Sequence, residues 1–205
     1  MHRFLILSLF ILTSCGTSYK IANIQEDNLV SQTIQNPYLN VVKKEYNYRF
    51  KITFMKNEMK GIFVVKKLDD TTHRAVMTSD FGNTLFDLSV TKDDFTLHYT
   101  MPDLNKKMVV KTLSEDLQTI LRNDFEVNQQ IKTDNLVILK SDNVSLIYPK
   151  NESNYFTELV HLKRNKIKTV NQFHVNESDF PSRIVIKHNH FNLTFELTKV
   201  DPVVE

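Results

Sequence analysis

The sequence predicts a mainly β protein with a single helix: a curved antiparallel sheet, or incomplete β-barrel, of about 11–12 strands whose open side the helix covers. Three observations lead there. Tyr48, Phe50, Ile52 and Phe54 alternate with Arg49, Lys51 and Thr53, the period-two pattern of a strand with one face buried. Runs of the same kind recur along the chain, separated by short clusters of turn-forming residues. Only one stretch, near residues 112–125, repeats its apolar residues at helical spacing.

Taken in order, residues 46–54 form the first strand, and a turn at Asn57-Glu58 leads into 61–65. Asp69-Asp70-Thr71 turns the chain into 74–77, and strands follow at 84–90 and 95–100. Thr112-Leu113-Ser114-Glu115 has the form of a capping box, which places a helix start at Thr112. Leu113, Leu117, Ile120, Leu121 and Phe125 then share one helical face. Strands are expected again at 135–140, 144–148, 155–163, 167–175 and 183–187. A turn near His188-Asn189 leads to 191–198, where Phe191, Leu193, Phe195 and Leu197 face one way. No internal repeat is visible.

The N-terminus reads as an export signal. Met1-His2-Arg3 is followed by residues 4–12, apolar except for Ser8, and then by Thr13-Ser14 and Cys15, the one cysteine of the chain. The run is shorter than the roughly 20 apolar residues a membrane span needs. Its ending resembles the bacterial lipobox, an aliphatic residue and two small ones before cysteine. The resemblance implies cleavage after Ser14 and a covalent lipid on Cys15, which becomes the first mature residue. Three acyl chains, at about 0.8 kcal/mol per buried methylene, would hold a protein on a membrane durably. The alternative, a free thiol, leaves an exported protein with an unpaired reactive group. Gly16-Thr17-Ser18-Tyr19-Lys20 carries no acidic residue. By resemblance to Gram-negative lipoprotein sorting, this implies the outer membrane, anchored on its periplasmic face.

Four segments are therefore expected: signal peptide 1–14, acylated N-terminus and tether 15–45 with a short helix around 24–34, a half-barrel domain 46–200, and a tail 201–205. The 26 basic and 24 acidic residues nearly balance, so there is no electrostatic footprint for nucleic acid. Glycine occurs only at 16, 61 and 82, which excludes the clustered glycines of phosphate loops and nucleotide fingerprints.

Catalytic signatures are missing too. There is no nucleophile elbow, no zinc-protease motif, and no cysteine free for chemistry once Cys15 is acylated. His188 and His190 could share a strand face, but no third metal ligand is evident, and an exposed turn accounts for them. Asp69-Asp70, Asp93-Asp94 and Glu115-Asp116 read as turn or helix-start carboxylates. Four matches to the N-glycosylation pattern, at Asn143, Asn151, Asn176 and Asn192, are what chance gives among nineteen asparagines. No enzyme activity, metal or cofactor beyond the covalent lipid is expected. What stands out is the apolar face: Phe50, Phe54, Phe63, Phe86, Phe95, Phe191 and Phe195 could fill a core or line a cavity suited to acyl chains.

Two stretches carry a family resemblance. Residues 74–88, Arg74-Ala75-Val76-Met77 through Asp80-Phe81-Gly82-Asn83 to Phe86-Asp87-Leu88, resemble the strand, corner and strand of the LolA/LolB superfamily of lipoprotein carriers and receptors. Pro181-Ser182-Arg183-Ile184-Val185-Ile186 with 191–197 is similar to that family's closing hairpin. The match is nearest the LolB-like outer-membrane receptors and covers about residues 46–199. It implies an apolar residue projecting from the corner to help insert cargo into the bilayer, here Phe81 beside Gly82, with Asp80 where the family has proline. Leu68, in the preceding turn, is a second exposed apolar candidate. The implied function is a membrane-anchored monomer that binds acyl chains in an apolar cavity, receiving lipoproteins from a LolA-like periplasmic carrier. The alternative is a structural or interaction lipoprotein of the envelope with the same fold and a filled core.

Overall fold

A computed structural model describes residues 25–150, 154–176 and 178–200. Signal peptide, Ser14, Cys15 and the tail 201–205 lie outside them. The chain forms β1 (Gln25–Gln35), β2 (Glu45–Phe54), β3 (Asn57–Lys67), β4 (His73–Ser79), β5 (Thr84–Val90) and β6 (Phe95–Thr100). A single 3-10 turn, Pro102–Leu104, precedes helix α1 (Lys107–Ile120). After it come β7 (Asp124–Lys132), β8 (Leu136–Lys140), β9 (Val144–Pro149), β10 (Glu158–Lys163), β11 (Lys166–His174), β12 (Arg183–His188) and β13 (Leu193–Lys199).

All thirteen strands form one sheet in the order β1-β7-β8-β9-β10-β11-β12-β13-β2-β3-β4-β5-β6, with β1 and β6 as its open edges. The pairings are antiparallel throughout, as the meander pattern predicts. Helix α1 links the edge strand β6 to β7 near the opposite edge, so the chain has to cross the concave face. Thr119 and His161 of β10 share a hydrogen bond of 3.4 Å, Lys168 of β11 donates to Glu115 at 2.5 Å, and His188 of β12 meets Asp116 at 2.9 Å. On its other side Gln118 donates to the Thr91 carbonyl at the end of β5, 3.3 Å away. Strands five or more places apart thus reach one helix, because a twist of roughly 20–25° per strand curls so long a sheet.

Three expectations need correction. Residues 25–35 are a strand, not part of a tether with a helix, and the following loop docks as well: Tyr38 and Leu39 are fully buried. The partner of β1 is β7, itself absent from the sequence reading. In β7 the inward residues Phe125, Val127 and Ile131 alternate with Glu126, Asn128 and Lys132, but Phe125 also continues the helical spacing of α1 and is masked by it. The helix starts at Lys107 with no side-chain cap at Lys106, so Thr112 and Glu115 lie inside it. Glu115 is spent on Lys168 and Lys163 instead of on a cap. Finally, the turn between β2 and β3 is Met55-Lys56, with Met55 at φ 56°, and Asn57 already pairs with Phe54.

One glycine is required by contact. A Cβ on Gly61 would lie 1.9 Å from the Thr78 carbonyl oxygen of the neighbouring strand, so β3 and β4 close up only with glycine there.

Candidate functional site

The interior divides in two. Beneath β7–β11 an aromatic cluster fills its centre. Tyr38 stacks on Phe173 at 4.7 Å and meets Phe156 edge-on at 4.8 Å, and Phe156 also touches Phe125, Tyr148 and Phe173. The Tyr38 hydroxyl donates to the Phe156 carbonyl, which satisfies the one polar atom that this ring buries. Burial pushes the Tyr38 phenol well above its ordinary pKa.

Between α1 and the strands β13, β2, β3 and β5 the interior is hollow. A cavity of about 270 Å³ opens there, walled almost wholly by carbon. The sheet contributes Ile52, Phe54, Met59, Phe86, Leu193 and Phe195, and the helical segment contributes Leu104, Met108, Val109 and Leu113. Phe191, in the turn from β12 to β13, closes one side. The hollow has a geometric origin. One helix, about 21 Å long at 1.5 Å per residue, cannot cover thirteen strands, and the cavity lies along its first turns, where Met108, Val109 and Leu113 line it.

Of the seven phenylalanines proposed to line a cavity, Phe54, Phe86, Phe191 and Phe195 do so. Phe50 and Phe63 are instead buried in the packed core, where Phe195 meets both edge-on, and Phe95 packs partly buried against that core. The mouth is set by strand register. Phe54 pairs with Leu193, so the turns after β2 and before β13 lie together at one end of the sheet, next to the start of α1. Around it Phe54, Met55, Met108 and Phe191 are all exposed apolar side chains.

The β4–β5 corner points toward the same end, since Ser79 pairs with Gly61 on the β3 segment rising from that turn. Phe81 at its tip is 93% exposed, the most exposed large apolar residue among those described. Gly82 has φ +82°, and its amide donates to the Ser79 carbonyl at 2.9 Å, which is the bond that shapes the corner. Asp80 pairs with Arg49 at 2.7 Å across the strands. Leu68 is exposed in the β3–β4 turn, where Asp69 accepts from the Thr71 and Thr72 amides; the Thr71 bond holds its carboxyl below the usual range.

Two polar residues occupy unexpected places. Asp116 is not a helix-start carboxylate, and His188 is not an exposed turn residue. His188 Nε2 and Asp116 Oδ2 lie 2.9 Å apart with side chains 1% and 3% exposed, and Asp116 lines the cavity. Phe191 stacks on the imidazole at 4.7 Å. Asp116 Oδ1 and His188 Nδ1 are buried without hydrogen-bond partners. Burial raises the Asp116 carboxyl above its ordinary pKa. Sequence gave one usable clue to this pair: an aspartate between Leu113 and Leu117 on the inward face of an amphipathic helix. No three metal-ligating side chains converge among the described residues, and none of their helices is long and apolar enough to cross a membrane.

Between α1 and the strands β9 and β10 lies a second cavity, of about 430 Å³ and mixed polarity, with Lys92, Arg122, Lys163 and Arg164 around Glu115 and His161. Burial lowers the His161 imidazole to a pKa of about 4, so it is neutral at physiological pH.

No family model matches the chain, and no curated protein matches it. A crystal structure of a DUF1329 family protein from Desulfovibrio piger is similar in shape, with a TM-score of 0.45 and 7% identity over 82% of this chain and 89% of that one.

Proposed function

We propose that this is a non-enzymatic, lipid-anchored envelope protein that holds acyl chains in the apolar pocket and passes them to a bilayer. The observation that carries the reading is the pocket itself, an apolar cavity opening among exposed Phe54, Met55, Met108 and Phe191. Burial of a chain there would be driven by roughly 25 cal/mol per Å² of apolar surface removed from water. The apolar rim is the kind of surface that seats on lipid.

The finer reading follows the LolB-like stretch at residues 74–88. Cys15 carries the anchor, the protein works on the periplasmic face of the outer membrane, and lipoprotein chains arrive from a LolA-like carrier. Phe81, nearly fully exposed on a glycine-shaped corner, then assists release into the membrane. The cavity is slightly below the roughly 300–1,000 Å³ of common ligand pockets, so it takes one chain, and a triacylated cargo would be handed over chain by chain.

The full-length protein, extracted from membranes and analysed by mass spectrometry of its organic extract, is expected to yield an alkyl compound in stoichiometric amount besides the lipid on Cys15. Depletion of the protein in cells is expected to leave other lipoproteins in the inner membrane. An empty pocket, together with a Phe81→Asp protein that delivers lipoproteins as the parent does, would overturn the proposal.

A further inference from the structure

The second cavity has a charge imbalance that the chain as a whole lacks. The sequence carries 26 basic and 24 acidic residues, yet Lys92, Arg122, Lys163 and Arg164 line this hollow with a single carboxylate, Glu115. That carboxylate is already matched. A register shift in the β10–β11 pairing leaves Lys168 without a partner on β10, and its amine lies 2.5 Å from Glu115, with Lys163 a second cation at 3.5 Å. Asp124, outside the lining, reaches Lys92 only at 3.8 Å. Arg49, Arg74 and Arg183 each hold a carboxylate. Arg122 and Arg164, the other two described arginines, hold no described carboxylate, and both line this cavity.

Neither arginine is explained by local structure. Arg122 is fixed in place: its Nε donates to the Asp124 carbonyl at 2.7 Å and its guanidinium lies over the Phe125 ring, 5.3 Å from the centroid, which leaves the outer nitrogens for a ligand. The end of α1 does not call for cations, because Asn36 donates to the Ile120 and Arg122 carbonyls and the Leu121 amide to that of Leu117. Arg164 stands where its backbone is ill suited. Lys163 pairs with Lys166, so Arg164-Asn165 is a two-residue turn, with φ 52° and 60°. Such a turn favours Asn-Gly, and a long side chain at its first position is uncommon.

We infer that this cavity binds a phosphoryl group, the dianionic monoester of a small polar alcohol, with Arg122 and Arg164 on the phosphate oxygens and Lys92 and Lys163 completing the charge. The cations come from three connections, β5–β6, α1–β7 and β10–β11, and so meet a tetrahedral dianion from several sides. A carboxylate offers one charge and two oxygens. The volume of about 430 Å³ falls within the roughly 300–1,000 Å³ of common ligand pockets, and Gln118 and Asn143 on the same wall suit the hydroxyls of the alcohol. The site stands independently of alkyl binding in the apolar pocket.

The test uses the full-length chain in phosphatidylcholine vesicles, with radiolabelled glycerol 3-phosphate in equilibrium dialysis at physiological ionic strength and protein-free vesicles subtracted. Saturable binding of one ester per chain is expected, displaced by inorganic phosphate but not by glycerol or lactate at equal concentration. Arg164→Asn puts in a residue that tolerates the turn, so the fold is kept, and is expected to weaken binding about tenfold, as loss of one hydrogen bond to a charged group gives. Arg122→Gln is expected to do the same. Lys187→Gln, an equal loss of charge at an exposed position on β12, is expected to change affinity by less than about twofold. Vesicles carrying phosphatidate offer the same group on a lipid. Displacement of the soluble ester by them assigns the phosphate to a lipid head group, and no displacement assigns it to a soluble ester; the site stands in both cases. No saturable binding, displacement by lactate as good as that by phosphate, or equal losses in Arg164→Asn and Lys187→Gln would overturn the inference. So would an Arg164→Asn protein that binds as the parent does, and none of these outcomes bears on the apolar pocket.

Discussion

The two halves of the sheet solve the same problem differently. Under β7–β11, Tyr38, Phe156 and Phe173 interlock, supplied by the loops before β2 and before β10 as much as by the strands. Under β13, β2, β3 and β5 the cavity is covered by α1 with only Leu104 and Phe191 beside it, and it remains open. The strands themselves are alike in alternation. What differs is the number of bulky residues brought in from outside the sheet, so a fold of this kind can be solid or hollow according to its loops.

The largest way to break the contrast is at Phe156, fully buried among four aromatic rings. Phe156→Ala is expected to cost about 3–5 kcal/mol in urea denaturation, as large-to-small changes in filled cores do. Next comes acid. Burial holds the His73 imidazole at a pKa of about 4, below the ordinary 6.5, with its Nε2 against the Leu39 carbonyl. As pH falls below 6.5 the unfolded chain takes up a proton that the native state refuses until about pH 4. Stability should therefore drop across that window, by up to about 3 kcal/mol for this one group. His161 adds a slope of the same sign, so a His73→Gln variant should lose about half of the acid sensitivity in a pH series of denaturation curves.

A pair of small-to-large changes sharpens the comparison further. Leu159→Phe, in the solid half, should cost about 1–3 kcal/mol through overpacking. Val109→Phe, facing the cavity, should cost under about 1 kcal/mol and reduce uptake of a single-chain alkyl probe. Equal costs at the two sites would mean that the hollow half is not hollow in solution. The smallest effect on stability belongs to Phe81→Asp, within about 0.5 kcal/mol because the side chain packs on nothing, while vesicle association measured by flotation should weaken.

Much of the architecture could be read from residues because the alternation in β2, β6 and β13 is strong and uninterrupted. The strands β1 and β7 escaped together, and for one reason: each is rich in Gln and Asn, and each finds its clearest justification in the other. Phe125 shows why spacing alone misleads, since it satisfies the helix's period and the strand's at once. The exposed tip at Phe81 was legible because a large aromatic in a polar turn has few explanations. The cavity was legible only in part. Phe54, Phe86, Phe191 and Phe195 announce an apolar wall, but whether Phe63 joins them or packs in the core depends on where α1 crosses, which no local pattern encodes. Asp116 and His188, 72 positions apart, are brought together by that crossing alone.

That β1 begins at Gln25 has a consequence for how the molecule would work. With Cys15 acylated as proposed, nine residues lie between the anchor and Gln25, so β1 stands at most about 33–36 Å of chain from it. Meeting the bilayer then becomes an intramolecular encounter, governed by a high effective concentration instead of by diffusion through the surrounding compartment. Even weak adhesion by the rim would suffice, and inserting a polar segment between Cys15 and Gln25 would dilute it.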